Sequence, residues 1–273
     1  MKYLHYLAVA AIFWLLMTPV TAPAADDVQQ LRAQFASIVD GLNGNSFDKF
    51  NRAIARNDMI ARIYGSRLID QNVKRAFSAD FAAAIQGMFV ASFPPSSKEI
   101  LGTLIDFQFE GDQGSAVVRY AASGYRFSYH VYELKRAGKD RLQIVDWIDY
   151  YRGNRFSAEA GAELVMAMPT RAATRNLLEN KSLSDGEVFQ VAELFKAVRD
   201  NKAPRFFQIM GDLDDDILKE ATLLRLGLRF ALQSGDEGRI ENAVRRVLAA
   251  RPDDALYSLR LNDYFIPVRR YEE

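Results

Sequence analysis

The chain has 273 residues, of which 49% are apolar, 26% charged and 12% aromatic, a composition that suits a folded protein of one large or two modest domains. It contains no cysteine, which excludes disulfide bonds, a cysteine nucleophile and a cysteine-based zinc site. The 35 basic and 35 acidic side chains give a formal net charge of +0, so the overall positive excess that favours nucleic acid or an anionic membrane surface is missing.

The first 24 residues have the pattern of a secretory signal peptide. Lys2 precedes an apolar run from Tyr6 to Met17, and Ala22 and Ala24 supply the small side chains of a cleavage site. The run is shorter than the roughly 20 apolar residues that span a membrane, which favours cleavage after Ala24 over an uncleaved anchor. We therefore expect a soluble, exported protein without a stable membrane span, periplasmic if the source is a Gram-negative bacterium and otherwise secreted.

Residues 26–168 are predicted to form an α+β domain that begins with three helices. In three successive segments, apolar side chains recur at spacings of three and four residues, as on amphipathic helices. The first segment ends at the turn-forming Asn43-Gly44-Asn45, and the second runs from Phe47 to Tyr64. The third runs from Asp70, a helix-capping residue type, to Phe93, because the prolines that follow cannot continue a helix.

From Leu104 onwards the apolar period changes from about 3.6 to 2, which indicates β-strands. Four strands are predicted, and they begin at Leu104, Ala116, Tyr125 and Leu142. Short loops between consecutive strands are typical of an antiparallel meander, and helices that precede such a sheet give an α+β domain.

Three helices followed by a curved sheet that ends in Leu142-Gln143-Ile144-Val145-Asp146-Trp147-Ile148-Asp149 resemble the cone-shaped domain of the nuclear transport factor 2-like superfamily. They also resemble the periplasmic phospholipid-shuttle proteins of toluene-tolerance type. The resemblance covers about residues 28–155, and it implies a pocket between the helices and the concave face of the sheet, used in relatives for lipids, small substrates or nothing. The candidate lining residues are Phe81, Phe89, Phe127, Tyr129, Tyr132, Trp147 and Tyr150. The alternative is that these rings are ordinary core and edge aromatics.

His130 is the only histidine after the predicted cleavage site, and it lies in the third predicted strand. Enzymes of the resembled superfamily often pair a histidine with an aspartate inside the cone, and Asp146 is the candidate partner here. A five-residue loop between the strands places His130 opposite Asp146, whereas a four-residue loop places it opposite Trp147. The sequence leaves this register open. Because no nucleophile or second acid accompanies the pair, we expect a non-catalytic protein.

Metal binding would depend on carboxylates, and the candidate cluster is Asp212, Asp214, Asp215 and Asp216. Its spacing lacks the glycine and the distal glutamate of a calcium loop. We expect instead a polar loop whose last aspartate caps a helix that begins at Ile217. Neither a metal nor a cofactor is predicted.

Residues 169–183 are predicted to connect the first domain to a helical region over residues 184–273. Ser184 and Glu187 have the S-x-x-E spacing of a capping box, which begins a new helix. Beyond them, an internal repeat of thirty-five positions relates Leu226, Gly227 and Phe230 to an earlier and a later triplet. The earlier triplet is Val191, Ala192 and Phe195, and the later one is Leu261, Asn262 and Phe265.

The triplet Leu226, Gly227 and Phe230 resembles the tetratricopeptide repeat, whose pattern is W-x2-L-G-x2-Y, then A-x3-F and a closing proline. The resemblance also includes Leu223 before the triplet and Ile240, Val244, Val247 and Pro252 after it. Leu223 replaces the tryptophan and Ile240 the usual alanine. The resemblance implies stacked helical hairpins in which the small Gly227 lets the second helix approach the first. The alternative is a plain helical bundle. Because the chain stops within a repeat at Glu273, we expect a truncated sequence whose natural continuation holds further repeats.

Stacked helical hairpins expose a groove that holds peptides. The candidate groove residues point away from the repeat core and are Glu193, Lys196, Arg225, Arg229 and Arg260. The leading hypothesis is an exported, non-catalytic adaptor that binds a protein or peptide partner and no nucleic acid. The alternative is a carrier of an apolar small molecule or lipid in the first domain, and the third hypothesis is an enzyme that uses His130 and Asp146.

Overall fold

The computed structural model describes residues 25–91, 93, 100–122, 126–138, 140–150 and 153–252. Over these ranges the chain is an α+β protein with one five-stranded antiparallel sheet and twelve helices. None of the described helices combines the length and apolar character that crossing a membrane requires. The predicted signal peptide, the third copy of the repeat and Arg260 lie outside the described residues.

Five helices precede the sheet: α1 Ala25–Asn43, α2 Asp48–Ala53, α3 Arg56–Tyr64, α4 Gln71–Ala79 and α5 Phe81–Val90. The predicted end of α1 at Asn43 is confirmed, and its apolar stripe is buried. The predicted cap at Asp70 is also confirmed, because its carboxylate accepts hydrogen bonds from the backbone N–H groups of Asn72 and Val73.

Two of the predicted helices are each interrupted. The segment from Phe47 to Tyr64 divides at Ile54, whose backbone is extended (φ −67°, ψ 129°). Ile54 forms a parallel bridge with Ile144, and the next amide, of Ala55, donates to the carbonyl of Ile144 at 2.8 Å. The third predicted helix divides at Asp80 (φ −105°, ψ 31°). The apolar stripe continues across both breaks, so the sequence period did not reveal them.

The sheet is an antiparallel meander with the order β1-β2-β3-β4-β5. Its strands are β1 Ile100–Glu110, β2 Gln113–Ala122, β3 Arg126–Arg136, β4 Leu142–Asp149 and β5 Asn154–Arg155. The two-residue β5 was not predicted. On the outer edge of β1, the Asn43 amide donates to the carbonyl of Gly102 at 3.0 Å and accepts from its N–H at 2.6 Å. The Asn43 side chain therefore satisfies the backbone groups of Gly102 that a neighbouring strand would otherwise bond.

The helices after the sheet are α6 Phe156–Ala167, α7 Arg171–Leu177, α8 Asp185–Arg199, α9 Ala203–Asp212, α10 Asp215–Leu218, α11 Ala221–Ser234 and α12 Glu237–Ala250. The predicted capping box of Ser184 and Glu187 is confirmed at the start of α8. The predicted helix start at Ile217 is wrong. The four-residue α10 begins at Asp215, and Asp214 at its N-cap makes no side-chain capping bond.

Helix α6 contributes to both halves of the molecule, the α+β half formed by helices α1–α5 and the sheet, and the helical half formed by helices α8–α12. Phe156, Ala160, Leu164 and Val165 belong to the core between the sheet and helices α1–α5. Ala162 and Met166, on another side of α6, belong to the core formed by α8, α9 and α11. Because one helix lies in both cores, the α+β half and the helical half pack directly on each other.

Candidate functional site

The face of the sheet that packs on the preceding helices carries a buried histidine–aspartate pair, but the aspartate is not the one predicted from the sequence. Both registers considered there are wrong, because His130 lies opposite Asp149 and Asp146 lies opposite Glu133. Strand β3 extends to Arg136 and β4 begins only at Leu142. The register then shifts between Glu133 and Leu134, which moves the pairing by a further residue.

Five buried polar side chains, with His130 in the middle, form a chain of contacts. Its Nε2 atom is 3.6 Å from Oδ1 of Asp149, which accepts a hydrogen bond from Ser128 Oγ at 3.4 Å. Its Nδ1 atom is 3.3 Å from the hydroxyl of Tyr132, which is 2.7 Å from the hydroxyl of Tyr120. Burial raises the pKa of both tyrosines well above their ordinary values, so their hydroxyls stay protonated at neutral pH.

Aromatic rings surround this chain. The centroid of the His130 ring is 5.5 Å from that of Phe89 and 5.7 Å from that of Phe93, on which it stacks. Phe89 also contacts the ring of Trp147, at 6.2 Å. Of the predicted lining residues, Phe89, Tyr132 and Trp147 therefore come together between the helices and the sheet, and Phe81 is buried in the same core.

Phe127 and Tyr129 do not belong with these residues. They lie on the outer face of the sheet, because side chains alternate along β3 and His130 and Tyr132 occupy the inner positions. Their rings contact each other at 5.8 Å, and Phe127 is 52% exposed. Tyr150 follows the end of β4 and is half-buried, and its N–H donates to the carbonyl of Tyr129 at 3.0 Å. The seven predicted residues therefore do not line one pocket.

Asp146 supports the start of α6 instead of pairing with His130. It points to the opposite face from His130 and is completely buried. Its carboxylate accepts hydrogen bonds from the N–H of Ser157 at 3.1 Å and from its hydroxyl at 2.6 Å. Nη1 of Arg62 lies 3.6 Å away and balances the charge. The proposed catalytic pair of His130 and Asp146 is therefore wrong, and Asp146 has a structural role.

The helical half contains two helical hairpins in contact, α8 with α9 and α11 with α12. The ring of Phe206 on α9 stacks on that of Phe230 on α11, with centroids 4.3 Å apart and planes at 14°. Leu226 and Gly227 are buried beside Phe230. A Cβ atom at Gly227 would lie 3.3 Å from Cε of Met210. The small residue thus permits close approach of α11 to α9, not of α12 to α11 as expected.

Two predicted groove residues are held against α6. Arg225 lies 3.8 Å from Glu159, and Arg229 lies 3.9 Å from Glu163. The prediction that both arginines point into an open groove is therefore wrong, because the helical half packs on α6 along this face. Glu193 and Lys196 lie on α8, partly exposed, and form an ion pair with each other at 2.6 Å.

A small cleft of about 80 Å³ opens between α9, α11 and α12. It is lined by Phe207, Met210, Leu218, Leu223, Leu224, Gly227, Leu228, Ala231, Arg239, Asn242, Ala243 and Arg246. This cleft was not predicted from the sequence. Its available signal was the pair of arginines one heptad apart on α12, which places both on one side of the helix.

Among the described residues, no three histidine, aspartate or glutamate side chains are arranged to hold a metal ion. In comparisons with known proteins, no family model matches this chain and no curated protein matches it at a significant level.

Proposed function

We propose that the chain is an exported, non-catalytic adaptor. In this proposal the helical half binds a segment of a partner protein, and the α+β domain holds the helical half in a fixed orientation. The proposal includes a tetratricopeptide-type array for the helical half and a cone-type fold for the first domain. It also places the mature protein in the periplasm or outside the cell.

The observation that carries the proposal is the recurrence of the helical hairpin. Helix α11 begins 36 residues after α8 and ends 35 residues after it, and α12 begins 34 residues after α9. Equivalent positions are buried in both copies, as for Phe195 and Phe230 at 0% and 3% exposure. Stacked hairpins of this kind leave long helix faces open to partners while each buries its neighbour's apolar side.

The contacts with α6 support the same proposal. The pairs Arg225–Glu159 and Arg229–Glu163 join α11 to α6 at two points one helical turn apart. A module that is held in a fixed orientation loses less conformational freedom when it binds a partner. The α+β domain therefore supports the array without having to contact the partner.

The test is a selection of peptides from a random display library on the immobilised mature chain, followed by hydrogen exchange on the complexes. We expect enriched peptides to protect amides in α8, α9, α11 and α12. Phe206→Ala removes the stacking between hairpins and should weaken binding by about tenfold. Phe127→Ala is the matched control, because it removes an exposed ring from the outer face of the sheet and should leave binding unchanged.

The adaptor proposal fails if no peptide is enriched above a surface without protein. It also fails if the enriched peptides protect only the sheet and helices α1–α5, or if Phe127→Ala weakens binding as much as Phe206→Ala.

A further inference from the structure

We infer that the cleft between α9, α11 and α12 is a pocket for an acidic protein segment that inserts one apolar side chain. This inference rests on the proposed adaptor function and names the partner chemistry of the helical half. Its evidence is the cleft's floor, its size and the charges on its rim.

The floor of the cleft is apolar. Gly227 and Ala231 of α11 and Ala243 of α12 are small residues that line it. Around them lie Leu224 and Leu228, both buried. Transfer of a partner's apolar side chain from water to such a floor gives a driving force of about 25 cal/mol per Å² of its buried surface.

The size of the cleft selects its occupant. A volume of about 80 Å³ is well below the roughly 300–1,000 Å³ of sites that enclose small-molecule ligands. It suits a single aliphatic or aromatic side chain from a partner. Binding pockets of this kind give specificity to peptide recognition, while the rim contacts the adjoining residues.

The rim on α12 is basic. Arg239 and Arg246 are seven residues apart, so their Cα atoms are separated by about 10 Å along the helix, with Asn242 between them. The Arg239 guanidinium lies 4.2 Å from the ring centroid of Phe207, across the cleft, and 3.9 Å from the carboxylate of Asp236. Within the described part of the chain, Arg246 makes no ion pair.

This charge arrangement identifies an acidic partner. A guanidinium presents paired N–H donors that match the two oxygens of a carboxylate. Arg246, which forms no ion pair with any residue that the structure describes, presents its donors for such a pair, and the ring of Phe207 holds Arg239 at the edge of the apolar floor by a cation–π contact. A segment with glutamate or aspartate on either side of a leucine-type side chain satisfies both the rim and the floor.

The test uses three short fluorescent peptides and the full mature chain. One peptide has leucines flanked by glutamates, one has leucines flanked by lysines, and one has serines flanked by glutamates. Anisotropy titrations should give the tightest binding for the first peptide, and this binding should weaken as salt is raised. Arg246→Glu and Ala243→Leu, which reverse the rim charge and fill the cleft, should each weaken it by about tenfold.

Arg245→Glu is the matched control. Arg245 is the neighbour of Arg246, but its side chain is 75% exposed and pairs with Glu241 at 2.6 Å instead of lining the cleft. Its substitution should leave binding of the acidic leucine peptide within about twofold, the size of effect usual for a charge at the edge of an interface.

The proposed occupant of the cleft is contradicted if the acidic leucine peptide does not bind or if the basic peptide binds equally well. It is also contradicted if the Arg246→Glu and Ala243→Leu variants bind like the unaltered protein. These results leave the adaptor proposal intact when display-selected peptides still protect the helical half. Failure of the display selection itself instead contradicts the adaptor proposal.

Discussion

Asp146 and His130 illustrate how two buried polar side chains in adjacent strands acquire different roles. His130 lies among aromatic rings on the helix-covered face of the sheet, 3.6 Å from Asp149. Asp146 lies on the other face, where it accepts two hydrogen bonds from Ser157 at the start of α6. Residue type alone made Asp146 a candidate partner for His130, whereas the strand register assigned it to helix capping.

Removal of the Asp146 carboxylate should be strongly destabilising. Asp146→Ala leaves the N–H and hydroxyl of Ser157 without their acceptor and Arg62 without its nearby buried charge. We expect the free energy of unfolding to fall by about 3 kcal/mol. Urea denaturation at neutral pH measures it. Ser157→Ala removes only the hydroxyl and should cost about 1 kcal/mol. Equal losses for the two variants would contradict the capping role.

Glu133 joins three elements, the central strand β3, helix α3 and strand β5. Its carboxylate on β3 accepts hydrogen bonds from Arg62 of α3, at 2.6 Å, and from Arg155 of β5. Burial alone would raise the pKa of Glu133, but the hydrogen bonds and charges of Arg155 and Arg62 outweigh it and hold this pKa below its ordinary value. The ionised carboxylate is therefore the form that holds α3 and β5 against β3.

This pKa predicts a loss of stability in acid. Because the folded-state pKa of Glu133 lies below the unfolded value of about 4.3, its contribution is complete above that pH and is lost as pH falls through the folded pKa. Glu133→Gln should cost about 0.5–1 kcal/mol at neutral pH. The difference from the unaltered protein should disappear at low pH. Urea denaturation across this range tests it, and a difference independent of pH would contradict it.

Local sequence patterns predicted the ends of some helices and not of others. The end of α1 at Asn43 and the capping box at Ser184 follow from short-range chemistry, and both were predicted. The break at Ile54 was not, because it depends on a bridge to Ile144, ninety residues away in the chain. A period of 3.6 indicates which residues face the core. It does not indicate where the backbone leaves the helix to form a hydrogen bond with a distant strand.

Helix α6 and its ion pairs connect the two halves of the molecule. Arg225 and Arg229 of α11 face Glu159 and Glu163, and all four side chains are less than one-third exposed. Met166 of α6 is buried in the helical core. We therefore expect the two halves to unfold together, because separation would expose apolar surface and break both ion pairs.

Charge reversal at this interface tests the coupling. Arg225→Glu combined with Arg229→Glu places like charges against α6 and should lower the free energy of unfolding by about 1–2 kcal/mol. In calorimetry, the single transition expected of the unaltered protein should broaden or divide. Adding Glu159→Arg and Glu163→Arg should restore much of the loss. Equal melting behaviour of all three proteins would mean that the ion pairs do not couple the halves.

The α+β class, the succession of helices, sheet and helices, and the start of α8 could be derived from the amino-acid sequence alone, because apolar periods and capping residues act between near neighbours in the chain. The thirty-five-residue spacing of apolar residues is likewise a property of the sequence itself. The partner of His130, the role of Asp146, the burial of Arg225 and Arg229 against α6 and the existence of the cleft depended on the tertiary structure. These features follow from strand register, in which a shift of one residue reverses the direction of a side chain, and from helix packing, in which a shift of one residue turns it by about 100°. No local pattern in a single sequence specifies such long-range distances.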